Sequence, residues 1–286
     1  METINYIIPL CRCPDNRMHG EDFPERKGSL KFILDEFLGR QTGVKLKVIL
    51  IEQSVDGEYC YLDDSTLLDP SSKLDVVNIR VKHPVFNKSW LYNLAVQKAE
   101  GPHLMFSESD IFCFDNFMSN FLKHVNSNNI PWTLAWNLLC YISKNEKSLI
   151  FKERRPVPHK GNFRLQKPTP GKGSEGGIVY FHRDYFEKIG RYNEWMEGLG
   201  GIDNEILMRA KFESGVYHQY DNLIYHLWHP IVKDDAHPDQ QRKKNSTITK
   251  HTSHNQKFVI DYLRKHCKSS TKMPACKVED YGGIKK

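Results

Sequence analysis

Two carboxylates stand close together in the run Phe106-Ser107-Glu108-Ser109-Asp110. On an irregular turn, such a pair can converge on a divalent cation, or on a ribose and a cation. Oxygen ligands of this kind suit Mn²⁺ or Mg²⁺ bridging phosphates. The same acids equally make a turn that caps a following helix. A second acidic group follows glycines in Gly198-Leu199-Gly200-Gly201-Ile202-Asp203-Asn204-Glu205-Ile206. A carboxylate there can take a proton from an attacking hydroxyl. The plainer alternative is a helix N-terminus whose dipole favours acids, with Glu205 and Arg209 paired one turn apart. His226-Leu227-Trp228-His229 can supply imidazole to a metal or serve structurally, and Ser174-Glu175-Gly176-Gly177 reads first as a turn before a strand.

The surrounding periodicity predicts what positions these groups. Residues 4–10 read as a buried strand followed by a polar loop, and 30–38 as a helix with Leu30, Ile33, Leu34 and Phe37 on one face. Strands follow at 46–51 and 76–81, then a helix at 89–99 and a strand at 103–106. Strand and helix alternating in this way predict an α/β fold with a mostly parallel sheet and crossover helices. Ligands of such sheets bind beyond the carboxyl ends of the strands, which aligns residues 9–17, Glu52–Gln53 and 106–110 along one rim. Further on, 132–143 is expected as a strand and 144–175 as a Lys-, Pro- and Gly-rich loop. A strand at 177–181, helices at 182–189 and 202–212, a strand at 216–227 and a helix at 258–265 complete the pattern.

Composition narrows the class. The chain has 286 residues, 39% of them hydrophobic and 12% aromatic, enough for a sizeable core rather than disorder. No apolar run approaches the roughly 18–20 residues of a membrane span, and residues 1–10 lack the layout of a secretory leader, so a cytoplasmic protein is expected. Seven scattered cysteines in no zinc-finger spacing suit reduced thiols. The net charge of +6 is spread over basic stretches at 144–172 and beyond 233. It favours a polyanion such as a nucleotide diphosphate, and no motif indicates nucleic acid.

Taken in order, these motifs resemble the GT-A glycosyltransferases, nearest to the galactosyltransferase type (family 7) and related family 2 enzymes. Pro9-Leu10-Cys11-Arg12 is similar to that family's Pro-Phe-Arg segment, and Phe86-Asn87-Lys88 with Asn93 to its Phe-Asn-Arg segment and following Asn. Phe106–Asp110 resembles Phe-Ser-Asp-Val-Asp, and Gly176-Gly177 its paired glycines. Residues 198–206 resemble Gly-Trp-Gly-Gly-Glu-Asp-Asp-Asp-Ile, and His226 falls near a late metal-binding histidine. The resemblance spans residues 4–230. It departs at Glu108 (Asp in the family), Leu199 (Trp) and Ile202 (Glu), and Trp195 is the candidate replacement for the missing aromatic.

The resemblance implies a Rossmann-like GT-A domain over residues 1–230, with a nucleotide-binding half at about 1–112 and an acceptor and catalytic half at about 113–230. A basic extension with a helix, 231–286, follows. It implies inverting, metal-dependent transfer of a sugar from a UDP-sugar to a hydroxyl of a glycan or other acceptor. Asp203 would be the general base. Asp110, His226, Glu108 and His229 would be the candidate ligands of Mn²⁺ or Mg²⁺. Pro9, Arg12, Arg17, Glu52, Asn87, Lys88, Glu108 and Gly177 would hold the donor, Arg12 or Arg17 pairing with a phosphate and Glu52 or Gln53 reaching the base. Two other readings compete: a GT-A scaffold that binds nucleotide-sugar or glycan with little turnover, and a nucleotidyltransferase using Glu108 and Asp110 as paired metal ligands.

Overall fold

The computed structural model describes residues 2–12, 22–54, 57–69, 71–114, 116–154, 164–168, 176–198, 200–229 and 239–266. The expected parallel sheet is present. Strand β1 (Thr3–Arg12) is central, and β2 (Lys45–Ser54), β3 (Asp75–Lys82) and β4 (His103–Ser107) join it in the order β3-β2-β1-β4, all parallel. Ile7, Ile8, Ile49 and Leu50 are wholly buried, as strands covered on both faces by helices require. Beyond β4 the sheet turns antiparallel through β9 (Ile178–His182) and ends on β6 (Trp132–Leu134).

A second, four-stranded sheet has the order β5-β10-β7-β8, from β5 (Ile111–Phe112), β7 (Leu138–Tyr141), β8 (Arg164–Gln166) and β10 (Leu223–His226). Its existence corrects two expectations. The strand predicted over 132–143 breaks, because Ala135 N–H bonds to Ile178 O while Asn137 and Leu138 N–H bond to Asn222 O. The chain thereby crosses from one sheet to the other. The strand predicted over 216–227 shrinks to Leu223–His226, with Gln219 making only an isolated bridge to Leu134.

Helix α1 (Asp22–Phe32) begins well before the apolar periodicity and continues as a π-helical turn, Ile33–Leu38, that buries Ile33, Leu34, Phe37 and Leu38. Helix α2 (Lys88–Val96) follows β3, and α3 (Phe117–Ser127) precedes β6. The loop expected at 144–175 instead opens with α4 (Lys144–Glu153). Ser143 and Glu146 form a reciprocal capping box there, a start signal that outweighs the lysine-rich composition. Helices α5 (Arg183–Lys188) and α6 (Ile202–Ser214) follow. The extension carries α7 (Asp239–His254) and α8 (Gln256–His266), both packed on α6. Among the described residues, no helix is long and apolar enough to cross a membrane.

Candidate active site

Backbone pairing brings Asp110 to the histidines. His226 ends β10, where it pairs with Ile111 of β5 on one side and Tyr141 of β7 on the other. One residue on, Leu227 N–H donates to Asp110 O at 2.8 Å. The turn after β4 and the turn after β10 are thus stitched together, although more than a hundred residues separate them in the chain. As a result Asp110 Oδ2 lies 3.3 Å from His229 Nε2, and Asp110 Oδ1 lies 3.9 Å from His226 Nε2.

Ligand atoms of Asp110, His226 and His229 all fall within 4.8 Å of one another. Asp110 is 5% exposed, and its buried Oδ1 has no hydrogen-bond partner. A buried anionic oxygen without a donor is costly unless a cation supplies the missing charge. One carboxylate and two imidazoles suit a divalent transition ion, so the residues fit the expected metal.

Helix α4 holds this corner in place. Lys147, buried on α4, donates to Glu25 Oε2 at 2.7 Å and to Trp228 O at 3.1 Å. Lys144 Nζ lies 5.1 Å from the centre of the Trp228 ring. The segment between the two histidines is therefore gripped from both its backbone and its side chain. From α1, Arg26 Nη2 reaches His229 Nδ1 at 3.0 Å. Neither Arg26 nor Lys147 was among the expected site residues, since both lie outside the apolar periodicity. The Ser143–Glu146 capping box and Pro24 in the first turn of α1 are the signals that mark their helices.

Glu108, the fourth candidate ligand, has other company. Lys88 Nζ donates to Glu108 Oε1 at 2.9 Å and to Asp203 Oδ2 at 3.2 Å. Glu108 Oε1 is thus engaged by Lys88, while Asp110 is the carboxylate that meets the two histidines. Lys88 is buried beside Tyr92, whose hydroxyl donates to Ser107 O. Burial opposes the Lys88 ammonium, but the Asp203 and Glu108 carboxylates outweigh it and hold its pKa well above the ordinary lysine value. Burial raises the Asp203 carboxyl above its usual range while Lys88 pulls it back. For Glu108, burial is overcome by Lys88 and then by the two histidines, and the carboxyl is lowered. Lys88 thus bridges two neighbouring acids, Glu108 lowered and Asp203 raised from the ordinary carboxyl range.

Asp203 reaches Lys88 because the glycine loop before α6 is tied to the start of α2. Gly198 N–H donates to Phe86 O at 2.8 Å, and Asn87 forms a bridge with Gly198. Gly201 caps α6 with φ of 77°, a conformation glycine adopts without strain. Asn245 of α7 donates to Glu197 O at 2.8 Å and Gly200 O at 3.1 Å, so the extension clamps the same loop. Glu205 points the other way, wholly buried and paired with Arg209 at 2.7 Å. Trp195, the candidate replacement aromatic, is buried against Tyr262 of α8 at 4.8 Å between ring centres.

The remaining expected donor residues are distributed as follows. Asn87 is buried and structural in its contacts, accepting from Trp90 N–H at 2.9 Å and donating to Glu194 O at 2.6 Å. Glu52 is fully buried, and its carboxylate accepts the amides of Tyr61 and Leu62. Gln53 holds the backbone of His83, Val85 and Asn87. Pro9 lies in β1 opposite Ile51. Arg12 ends β1, and Arg17 and Leu199 lie outside the described residues. Gly177 has φ of +110°, and an added Cβ would lie 3.0 Å from both Ile224 Cδ1 and Trp136 Nε1. A Cβ on Gly176 would meet Asp203 Oδ2 at 3.3 Å and Glu108 Oε1 at 3.5 Å, so this glycine borders the two acids directly.

No protein-family model matches the chain, and no curated protein does. Solved structures do resemble it. TarS from S. aureus superposes with a TM-score of 0.51 at 12% identity, over 92% of this chain and 43% of that one. Mannosyltransferase PcManGT from Pyrobaculum calidifontis, in complex with GDP-Man and Mn²⁺, gives 0.47 at 12% identity over 92% and 73%. Glucosyl-3-phosphoglycerate synthase from Mycobacterium tuberculosis, in complex with Mg²⁺ and uridine diphosphate, gives 0.46 at 14% identity over 87% and 78%. At 12% identity the TarS superposition is a likeness of fold, and it agrees with the strand order: this chain has the GT-A fold.

Proposed function

We propose that the protein is an inverting glycosyltransferase that moves a hexosyl or N-acetylhexosaminyl group from a UDP-sugar to a hydroxyl of a glycan or other acceptor. The observation that carries this reading is the meeting of Asp110, His226 and His229 next to the Lys88–Asp203–Glu108 cluster. One group suits a cation that binds phosphates. The other offers a carboxylate that can accept a proton. Their adjacency is what displacement of a nucleotide diphosphate by a hydroxyl requires.

Asp110, His226 and His229 would hold the metal, and the two imidazoles favour Mn²⁺ over Mg²⁺. When bound, the ion neutralises the charge that builds on the departing diphosphate. Asp203 accepts the proton of the acceptor hydroxyl as its oxygen attacks the anomeric carbon. Its raised pKa makes it a better base than an exposed aspartate. Lys88 keeps Asp203 ionised between turnovers and fixes its direction. Glu108, held anionic by Lys88, is placed to accept hydrogen bonds from hydroxyls of the donor. Gly176 leaves room over both carboxylates.

The test is release of nucleoside diphosphate from a panel of UDP- and GDP-sugars with Mn²⁺, with Asp110→Ala and Asp203→Asn alongside. Loss of a general base costs about a hundredfold or more. Full activity in both variants, or no nucleotide binding by the unaltered protein, overturns the proposal.

A further inference from the structure

We propose that Tyr141 is a positioning residue for the metal centre: its ring, tied to Gln166 of the edge strand β8, holds the His226 imidazole in the direction that brings it beside Asp110. The inference rests on the reading of Asp110, His226 and His229 as metal ligands given above.

Tyr141 lies outside every motif of the resemblance, yet it ends the strand next to the one that His226 ends. The two residues are partners in the parallel pair of β7 and β10, and Ile142 N–H donates to His226 O at 2.9 Å. Strand β7 therefore fixes the backbone of this ligand. The imidazole is a separate matter. It is 19% exposed at the last position of a strand, and backbone pairing alone leaves its χ angles more than one staggered well. Two rings narrow that choice. The Tyr141 ring centre is 5.3 Å from that of His226 at an interplanar angle of 40°, and the His229 ring centre is 5.2 Å away at 47°.

Tyr141 is itself anchored. Strand β8 runs antiparallel to β7 with Gln166 opposite Leu139, which places Gln166 diagonal to Tyr141. Long side chains reach one another across such a diagonal. Here the Tyr141 hydroxyl donates to Gln166 Oε1 at 3.0 Å, so the hydroxyl serves the anchor and the ring serves His226. The edge strand thus reaches the metal centre through two side chains in series. A ligand already held in its binding rotamer loses little freedom when the ion arrives, and partners outside the ligand set tune affinity by this route.

The test uses the full chain with UDP present and reads Mn²⁺ binding rather than turnover. Free Mn²⁺ is followed by electron paramagnetic resonance, and nitrogen coupling to the bound ion by its pulsed form. Tyr141→Leu, which fills much of the space without a ring, should bind Mn²⁺ about tenfold more weakly and change the nitrogen coupling. Tyr141→Phe keeps the ring and loses only the anchor, as does Gln166→Ala. Each should cost roughly two- to fivefold, the worth of one neutral hydrogen bond.

With His226 already replaced by alanine, none of these substitutions should weaken Mn²⁺ binding further. Gln166→Ala, on a half-buried edge position, carries the same comparison if Tyr141→Leu melts early. Losses that vanish in the His226→Ala background support the proposal. Losses that add to that of His226→Ala, equal losses in Tyr141→Phe and Tyr141→Leu, or unchanged affinity in all three overturn it. An unaltered protein that binds no Mn²⁺ overturns the metal reading and this one with it. Binding that needs His226 and ignores Tyr141 overturns this one alone.

Discussion

The Lys88 ammonium lies 3.2 Å from the Asp203 carboxylate, which brings together residues 115 positions apart in the chain. Lys88→Met should therefore do more than remove a contact. Without the ammonium, burial drives the Asp203 pKa further up, and the acid limb of the activity profile moves to higher pH. The native state then holds a proton that the unfolded chain releases, so the variant loses stability as pH rises through the acid range. The cost at neutral pH should be on the order of 2–3 kcal/mol, less than for a fully buried pair because Glu108 is partly exposed. A rate profile and denaturant melts between pH 5 and 8 check both statements; an unmoved acid limb would show that Lys88 does not tune Asp203.

Glu194 offers a cleaner pH test away from the reacting groups. Burial raises its carboxyl to about 7, opposed by the Asn93 side chain and Arg191. Above the ordinary glutamate range the native state keeps the proton that the unfolded state has lost, so stability falls as pH rises toward 7. Glu194→Gln retains the oxygen that accepts from Asn93 at 2.7 Å and removes the titration. It should be more stable than the unaltered protein at pH 8 by about 2–3 kcal/mol and little different at pH 5. Parallel stability curves for the two proteins would contradict this.

His226→Ala and His229→Ala should each weaken Mn²⁺ binding, measured with UDP present, by at least about tenfold and leave the fold intact, because both side chains are partly exposed. Glu108→Gln should leave Mn²⁺ affinity nearly unchanged, since its carboxylate belongs to Lys88. Metal titration of the three variants separates these cases. Equal losses in all three would place Glu108 in the ligand set after all.

Asn245 ties α7 to the loop that leads to Asp203. Asn245→Ala removes the donor to two backbone carbonyls and should cost about 1–3 kcal/mol. With Asp203 less firmly held, turnover should fall more than nucleotide affinity. Measured kcat falling with KM for the donor unchanged is the expected pattern; an unchanged kcat would mean that the clamp serves stability alone.

Much of this arrangement is legible in local sequence. The strands of residues 4–106 and helix α2 are close to where periodicity puts them, because β1 and β2 are apolar enough to be buried on both faces, whereas α1 starts ahead of the apolar pattern. The acids at 108, 110 and 203 fall after a strand or at the start of a helix, where chain direction alone points them to one rim. Where expectations failed, a local signal was overruled by a distant one. The strand through 132–143 breaks because Asn222 and Ile178 pull its two ends into different sheets. The helix at 144–153 hides under lysines, yet one of them is the buried strut Lys147.

What the sequence by itself determined is the α/β framework and the short list of carboxylates and histidines able to carry charge or protons. Which acid meets which cation was decided only in three dimensions. Asp110 joins the histidines because β5 pairs with β10, and Glu108 joins Lys88 because it leaves the same turn in a different direction. Periodicity is blind to such choices. Strand register and the direction of a side chain across a turn depend on partners a hundred residues away, and these contacts separate the candidate metal ligands from the candidate base.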